Sequence, residues 1–177
     1  MVMQVIKYPS KETWQQLSQR PTQSLEEIEK VVSPILDDIK LRGDAALFEY
    51  AEKFDKARIS NLLVTEEEIT AAIASIDVGL KNAIDIAYNN ILYFHQQQQT
   101  SAEIIETSAG VFCWRKSLPI DKVGVYIPGG TAPLFSTVLM LAIPAKIAGC
   151  SEVVLCSPPN QDGTINPVIL YAANLCG

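Results

Sequence analysis

The chain has 177 residues, of which 48% are hydrophobic and 19% charged, the balance of an ordinary soluble globular protein. A formal net charge of −6 argues against nucleic acid or an anionic membrane surface as a partner, because the long-range field would repel both. No stretch approaches the roughly 18–20 apolar residues of a membrane span, and the start of the chain lacks the apolar core of a signal peptide. We therefore expect a cytoplasmic protein.

The first half of the chain carries helical patterns. Ser24 and Glu27 have the spacing of a capping box, which predicts a helix start, and Gly43 is the predicted stop. A second helix is predicted to begin at Asp44. The first helix has an apolar stripe that we expect to be core, formed by Leu25, Ile28, Val32, Ile35 and Ile39.

A second capping box is predicted further along the chain. Thr65 and Glu68 repeat the spacing, and the acidic run Glu66–Glu68 favours a helix start with a solvated face. The helix that follows is expected to bury one face, formed by Leu80, Ile84, Ala87, Ile91 and Phe94.

The pattern changes to β beyond residue 103. Two β-rich runs flank Ser108, Ala109 and Gly110, which predicts a hairpin. The segments KVGVYIP, STVLMLAIPAKIAG, SEVVLCSPP and NPVILYAANLCG then read as strand, helix, strand and helix. This β-α-β-α order implies parallel strands joined by a crossover, and hence an α/β fold.

One such unit does not make a covered sheet alone, so we expect the chain to stop inside a domain. Apolar side chains of the last helix, Val168, Ile169 and Leu175, are then expected to lack partners and to favour self-association.

The segment VGVYIPGG contains the strongest candidate for a binding site. Gly129 and Gly130 follow the strand directly, and a strand-to-helix turn of this kind can present backbone N–H groups to a phosphate. Tyr126 ends the strand, where its ring could contact a nucleotide. A tight turn beside a packed tyrosine explains the same residues equally well. The GxGxxG fingerprint is absent, and the second strand ends in CSPP without the acidic residue that usually holds a ribose.

Other reactive side chains carry weaker signals. The single histidine, His95, lies beside an aromatic residue on a helix, where a structural role is more common than a catalytic one. The cysteines show no metal-ligand spacing, and buried, reduced thiols are favoured over a nucleophile. They are Cys113, Cys150, Cys156 and Cys176. The sequence shows no zinc cluster and no acid–base pair.

The segment VGVYIPGGTAPLFSTVLMLAIPAKIAGCSEVVLCSPP resembles the signature segment of the histidinol dehydrogenase family. Three further segments agree in order and spacing: IKLRGDAALFEYAEKFD, NNILYFHQQQ and DGTINPVILYAANLCG. The resemblance covers nearly all of the chain. It implies that the chain corresponds to the N-terminal portion of the family's enzyme. It implies oxidation of L-histidinol through an aldehyde to L-histidine, with two NAD and a bound zinc.

The resemblance also implies specific site residues. In the family, the tyrosine of the Y-[IV]-P-G-G motif contacts NAD, and this position is Tyr126. Pro128, Gly129 and Gly130 belong to the same motif. The zinc ligands and the Glu–His acid–base pair of the family fall beyond the end of this chain. We therefore expect no catalytic residue and no metal ligand here, and a chain that is inactive alone.

The family resemblance further predicts the domain organisation and the partners. Residues 1–20 would be an N-terminal arm and residues 21–121 the largely helical part of a first domain. Residues 122–177 would begin a second, Rossmann-like domain resembling that of aldehyde dehydrogenases, and the enzyme would be a homodimer. Two other interpretations stay open: a non-catalytic NAD-site remnant or oligomerisation module, and a dehydrogenase of aldehyde dehydrogenase type using a cysteine.

Overall fold

The computed structural model describes residues 5–19, 25–129 and 132–177. Ser24, the predicted cap of the first long helix, and Gly130 lie outside these residues. The chain divides into two compact units, Met1–Ala46 and Leu47–Gly177. The three segments 1–20, 21–121 and 122–177 stay a prediction.

The first unit is helical. It contains α1 (Lys11–Leu17) and α2 (Leu25–Arg42), and the division between the units falls inside α3 (Asp44–Tyr50). The stop after α2 and the new start at Asp44 are as predicted, because Gly43 adopts a φ of +60°, which a helix cannot continue.

The prediction that the apolar stripe of α2 is core is wrong. No side chain of this helix is buried, and Leu25 is 80% exposed. Ile28 and Val32 are exposed, while Ile35 and Ile39 are half-buried. Periodicity shows which side chains share a face, but not whether another element packs on that face.

In the second unit, a π-helical segment (Ala51–Asp55) precedes α4 (Glu66–Ser75) and α5 (Val78–Gln96). The capping box of α4 is confirmed: Glu68 N donates to Thr65 Oγ1 at 3.3 Å, and Thr65 N donates to Glu68 Oε2 at 2.7 Å. The predicted face of α5 is core only at its centre. Ile84 is fully buried and Ala87 and Ile91 pack against the core, whereas Leu80 and Phe94 near the ends are exposed.

Two pairs of strands follow the helices. Strands β1 (Ile105–Ser108) and β2 (Val111–Cys113) form the predicted antiparallel hairpin. The segments β3 (Lys122–Tyr126), α6 (Phe135–Ala148), β4 (Glu152–Cys156) and α7 (Pro167–Cys176) form the β-α-β-α unit. Strands β3 and β4 pair in parallel. The α/β fold class, with helices over the first half and a parallel β-α-β unit after them, is confirmed.

The core of the second unit lies between helices α4, α5, α6 and α7. Its buried members are Ile76, Ile84, Ile127, Val138, Leu139, Ile143, Ile169, Tyr171 and Ala172. The expectation that apolar side chains of α7 lack partners is wrong. Ile169 is 3% exposed, and Val168 and Leu175 pack against the core, because α7 lies against both α4 and α6.

A hydrogen bond joins α7 to α5 at the edge of this core. The Tyr171 hydroxyl donates to Asp85 Oδ1 at 2.6 Å, and this bond, together with burial, raises the pKa of Tyr171 to about 12 from its ordinary value of 10.0. A folded-state pKa above the unfolded one means that the stabilisation is complete below pH 10 and is lost as the pH rises through 12. Allowing for solvent screening, we expect a loss of about 1–2 kcal/mol across that window.

Denaturant unfolding between pH 9 and 12 measures this effect. Tyr171→Phe keeps the ring and removes the hydroxyl, so the variant is expected to be about 1 kcal/mol less stable below pH 10, where the hydrogen bond is intact. Its loss of stability above pH 10 is expected to be smaller than that of the unmodified chain. Identical alkaline profiles for the two proteins would contradict a role for this hydrogen bond.

Candidate functional site

An open cleft of about 520 Å³ lies within the second unit, where β3 and β4 end. Ligands of open α/β sheets bind outside the carboxyl ends of parallel strands, because the loops that follow the strands supply the walls there. The described residues that line this cleft are Asp55, Tyr126, Pro128, Gly129, Pro158, Pro159, Asn160 and Gln161. The cleft therefore contains three of the four predicted site residues, and the fourth, Gly130, lies outside the described residues.

Tyr126 is the last residue of β3, and its Cα pairs with that of Cys156 at the end of β4. The strand is open to solvent: its residues alternate between exposed and half-buried, and Tyr126 is 62% exposed. This exposure favours a ligand contact over the alternative interpretation, a tight turn beside a packed tyrosine. The ring is available to a ligand that enters the cleft.

The loop after Tyr126 is held close to the loop after β4. Ile127 is fully buried and its N–H donates to the carbonyl oxygen of Cys156 at 2.8 Å, which extends the pairing of the two strands. A Cβ atom placed on Gly129 would lie 2.7 Å from Pro158 Cγ, closer than real Cβ atoms approach other atoms. Glycine is required at this position because the two loops touch, rather than because of an unusual φ angle.

Helix α6 begins at Phe135, shortly after the glycine loop. The residue at its N-cap is Leu134, whose apolar side chain cannot accept a hydrogen bond from the first-turn N–H groups. Such groups, together with the positive end of the helix dipole, favour an anionic group nearby. This part of the structure is consistent with the phosphate-binding turn that the sequence indicates.

The opposite wall of the cleft is a turn stabilised by its own polar groups. Asn160 N donates to the Thr164 carbonyl oxygen at 2.8 Å, and Gly163 N donates to the Asn160 carbonyl oxygen at 2.9 Å. Asp162 Oδ1 accepts from both the N–H and the hydroxyl of Thr164, which lowers the pKa of Asp162. These hydrogen bonds hold Asn160 in place at the wall of the cleft.

Asp55 is a lining residue that sequence reasoning missed. It ends the π-helical segment Ala51–Asp55, which directly continues α3. The next residue, Lys56, is left-handed with φ +60° and ψ +24°. Single π-helical turns occur frequently at functional sites, and this one brings a carboxylate to the cleft from a distant part of the sequence.

The remaining candidate side chains do not line the cleft. His95 lies with Nδ1 2.8 Å from Gln98 Oε1 and its ring edge against Phe94, which agrees with a structural role. The prediction of buried thiols is wrong for Cys113 and Cys156, which are exposed because the strands that carry them are open to solvent.

The other two thiols, Cys150 and Cys176, are half-buried, and the described cysteines are all free. Burial raises the pKa of Cys176 to about 11 despite the opposing charge of Lys146. A thiol with so high a pKa is almost entirely protonated at neutral pH and is a poor nucleophile.

Two negative findings apply to residues 5–19, 25–129 and 132–177. No group of three or more His, Cys, Asp or Glu side chains lies close enough together to hold a metal ion. No helix in these ranges is both long and apolar enough to cross a membrane.

A parallel β-α-β unit with a ligand cleft at the carboxyl ends of its strands is the arrangement of the α/β proteins that bind nucleotides. A family model described as histidinol dehydrogenase matches residues 18–177. The chain belongs to the histidinol dehydrogenase family, whose members are oxidoreductases.

Individual relatives agree with this assignment. The chain is 52% identical over 176 residues to a histidinol dehydrogenase of Bacteroides thetaiotaomicron and 48% identical over 178 residues to one of Campylobacter jejuni. Each match covers 99% of this chain and 41% of the relative. The crystal structure of histidinol dehydrogenase from Elizabethkingia anophelis superposes with a TM-score of 0.88 at 51% identity, covering 96% of this chain and 39% of that one. The chain thus spans about two fifths of the length of its curated relatives and matches their N-terminal portion.

Proposed function

We propose that this chain is the N-terminal portion of an enzyme that oxidises L-histidinol to L-histidine through the aldehyde, with two NAD. In this proposal the cleft holds part of the NAD molecule, with Tyr126 against the nucleotide and Pro128, Gly129 and Gly130 shaping the turn. The observation that carries the proposal is the exposed Tyr126 ring beside the close-packed Gly129, in the part of the family signature that lines the cleft.

The residues that the structure describes do not fit a zinc site. The described part of the chain has no suitable cluster of ligands, and its single histidine bonds a glutamine side chain. An open catalytic zinc site needs about three protein ligands. We therefore propose that the zinc, the acid–base pair and the histidinol site depend on residues other than these 177, and that this chain alone does not turn over substrate.

We also propose the domain organisation and assembly that the family resemblance implies. Residues 1–20 would form an arm, 21–121 the first domain and 122–177 the start of a second, in a cytoplasmic homodimer. Large apolar side chains between residues 104 and 120 are exposed, and surfaces of this kind favour association. They are Ile104, Ile105, Val111, Phe112, Trp114, Leu118 and Ile120. The same surface also supports the alternative of an oligomerisation module, and free cysteines are typical of a reducing compartment.

Replacing Tyr126 tests the proposed cofactor contact. Tyr126→Ala is expected to weaken NAD binding by about 1–2 kcal/mol, roughly tenfold, because it removes a stacking or hydrogen-bonding partner. Tyr126→Phe keeps the ring and removes only the hydroxyl. A loss of NAD affinity in this variant that is smaller than the loss in Tyr126→Ala would be assigned to the hydroxyl. Calorimetric titration with NAD measures both affinities, and thermal unfolding of each variant reports on packing.

Tyr93→Ala is the matched control. Tyr93 is 66% exposed, close to the value for Tyr126, and lies on α5 away from the cleft lining. NAD affinity is expected to be unchanged in this variant. Equal NAD affinity in Tyr126→Ala and the unmodified chain would contradict the proposed site, and lower thermal stability with unchanged affinity would give Tyr126 a structural role instead.

A further inference from the structure

We propose that Asp55 determines the cofactor specificity of the cleft: its carboxylate accepts hydrogen bonds from ribose hydroxyls and repels a 2′-phosphate, so that NAD is preferred over NADP. This inference rests on the proposed function, that the cleft holds a dinucleotide. It assigns to Asp55 the discrimination that the nucleotide-binding fingerprint usually places at the end of the second strand.

The acidic residue of that fingerprint is missing from its usual place. Strand β4 ends at Cys156 and continues into Ser157, Pro158 and Pro159, none of which has a carboxylate. Asp55 reaches the same cleft from the π-helical segment and lines it together with these two prolines. The structure therefore places an acidic group, Asp55, in the cleft. It comes from the π-helical segment, whereas the fingerprint takes its acidic residue from the end of the second strand.

The described lining of the cleft carries negative charge and no positive charge. Asp55 is the only charged side chain among the described lining residues, and the others are tyrosine, proline, glycine, asparagine and glutamine. A bound 2′-phosphate needs an arginine or lysine to offset its charge. A phosphate placed in this lining would meet a carboxylate and no cation from the described residues.

The cations nearest to Asp55 in the sequence are engaged elsewhere. Lys53 Nζ lies over the rings of Tyr50 and Phe54, 5.9 and 5.3 Å from their centroids. Lys56 Nζ donates to the carbonyl oxygen of Lys53 at 2.8 Å, and Arg58 Nε donates to a Glu52 carboxylate oxygen at 2.7 Å. None of these three cations lines the cleft.

The backbone around Asp55 is fixed by burial. Ala51 at the start of the π-helical segment and Ala57 just after it are both buried, and Ala57 N donates to the Ala51 carbonyl oxygen at 3.3 Å. Between them Lys56 adopts a left-handed conformation, which costs free energy for a residue with a side chain. The left-handed Lys56 ends the π-helical segment, so the backbone on both sides of Asp55 is held by buried residues and by this turn.

The test compares the dissociation constants of NAD and NADP for the unmodified chain, Asp55→Asn and Asp121→Asn. Asparagine keeps the shape of Asp55 and removes its charge. Asp121 is exposed and lies outside the cleft lining, so its variant controls for the change in net charge. We expect the unmodified chain to bind NAD about tenfold or more tighter than NADP, since like charges in a binding site are strongly disfavoured. In Asp55→Asn this ratio is expected to fall to about threefold or less, mainly through tighter NADP binding.

The outcomes separate this inference from the proposed function. If NAD binds and Tyr126→Ala weakens it, but Asp55→Asn leaves the NAD-to-NADP ratio unchanged, the specificity role of Asp55 is overturned and the cofactor site stands. An equal change of the ratio in Asp121→Asn also overturns it, because net charge would then be the cause. If the folded, unmodified chain binds neither dinucleotide, both proposals fall.

Discussion

Replacing Leu139 with alanine is expected to lower the free energy of unfolding by about 3–5 kcal/mol, as for other fully buried leucines. Leu139 has no exposed surface and lies on α6, the helix that packs against α5 and α7 and also contacts β3 and β4. Truncation removes the apolar contacts and leaves a cavity that the surrounding helices cannot fill by moving together. Leucine and alanine are both good helix formers, so the loss of unfolding free energy reports on packing rather than on helix propensity.

Leu141→Ala provides the control on the same helix. It deletes the same atoms from a side chain that is 40% exposed, so we expect a loss of only about 1 kcal/mol or less. Denaturant unfolding measures the difference in unfolding free energy between the two variants. The comparison requires that the unfolding free energy of both variants depends equally steeply on denaturant concentration. Equal losses at the two positions would contradict the arrangement of the core. NAD affinity of the folded Leu139→Ala protein is expected to be unchanged, since Leu139 does not line the cleft.

Features with a local cause could be predicted from the sequence. The capping box of Thr65 and Glu68 and the helix stop at Gly43 depend on residues within a few positions of each other. The parallel pairing of β3 with β4 was predictable for a related reason. An apolar strand, an apolar helix and a second apolar strand in immediate succession leave a right-handed crossover as the usual connection.

The burial of a side chain depends on whether another helix or strand packs on it, and this could not be predicted from local sequence patterns. The stripe of α2 has the same spacing as the central face of α5, yet Ile28 is exposed and Ile84 fully buried. Likewise Cys156 is exposed although its strand is apolar. Burial in each case depends on what packs against the face, and the periodicity of a single segment does not contain that information.

The candidate site was predictable on one wall only. Tyr126, Pro128 and Gly129 lie within four consecutive positions, so a motif identifies them together. Asp55 and Pro158 come to the same cleft from other parts of the chain. No local pattern marks Asp55, because the π-helical turn that positions it differs from an ordinary helix only in hydrogen bonds that span five residues instead of four.

Gly129→Ala is expected to disturb both the fold and the cleft. The new Cβ would lie 2.7 Å from Pro158 Cγ, an atom of a half-buried ring that cannot rotate away. One of the two loops must therefore shift, at a cost of about 1–3 kcal/mol in unfolding free energy. Because these loops form facing walls of the cleft, NAD affinity should fall by about tenfold as well. Denaturant unfolding and NAD titration measure the two effects.

Two further variants assign the effect to this one contact. Gly124 lies in β3, and a methyl group added there would meet no atom within 4 Å, so Gly124→Ala is expected to keep stability and affinity or to raise stability slightly. Pro158→Ala removes Cγ, and the remaining Cβ would lie 3.8 Å from the new methyl group of Gly129→Ala, an ordinary contact distance. The double variant Gly129→Ala, Pro158→Ala should therefore lose less than the sum of the two single losses. Additive losses would mean that the glycine is needed for a reason other than the approach of Pro158, and the close packing of the two loops would no longer explain the Gly-Gly turn.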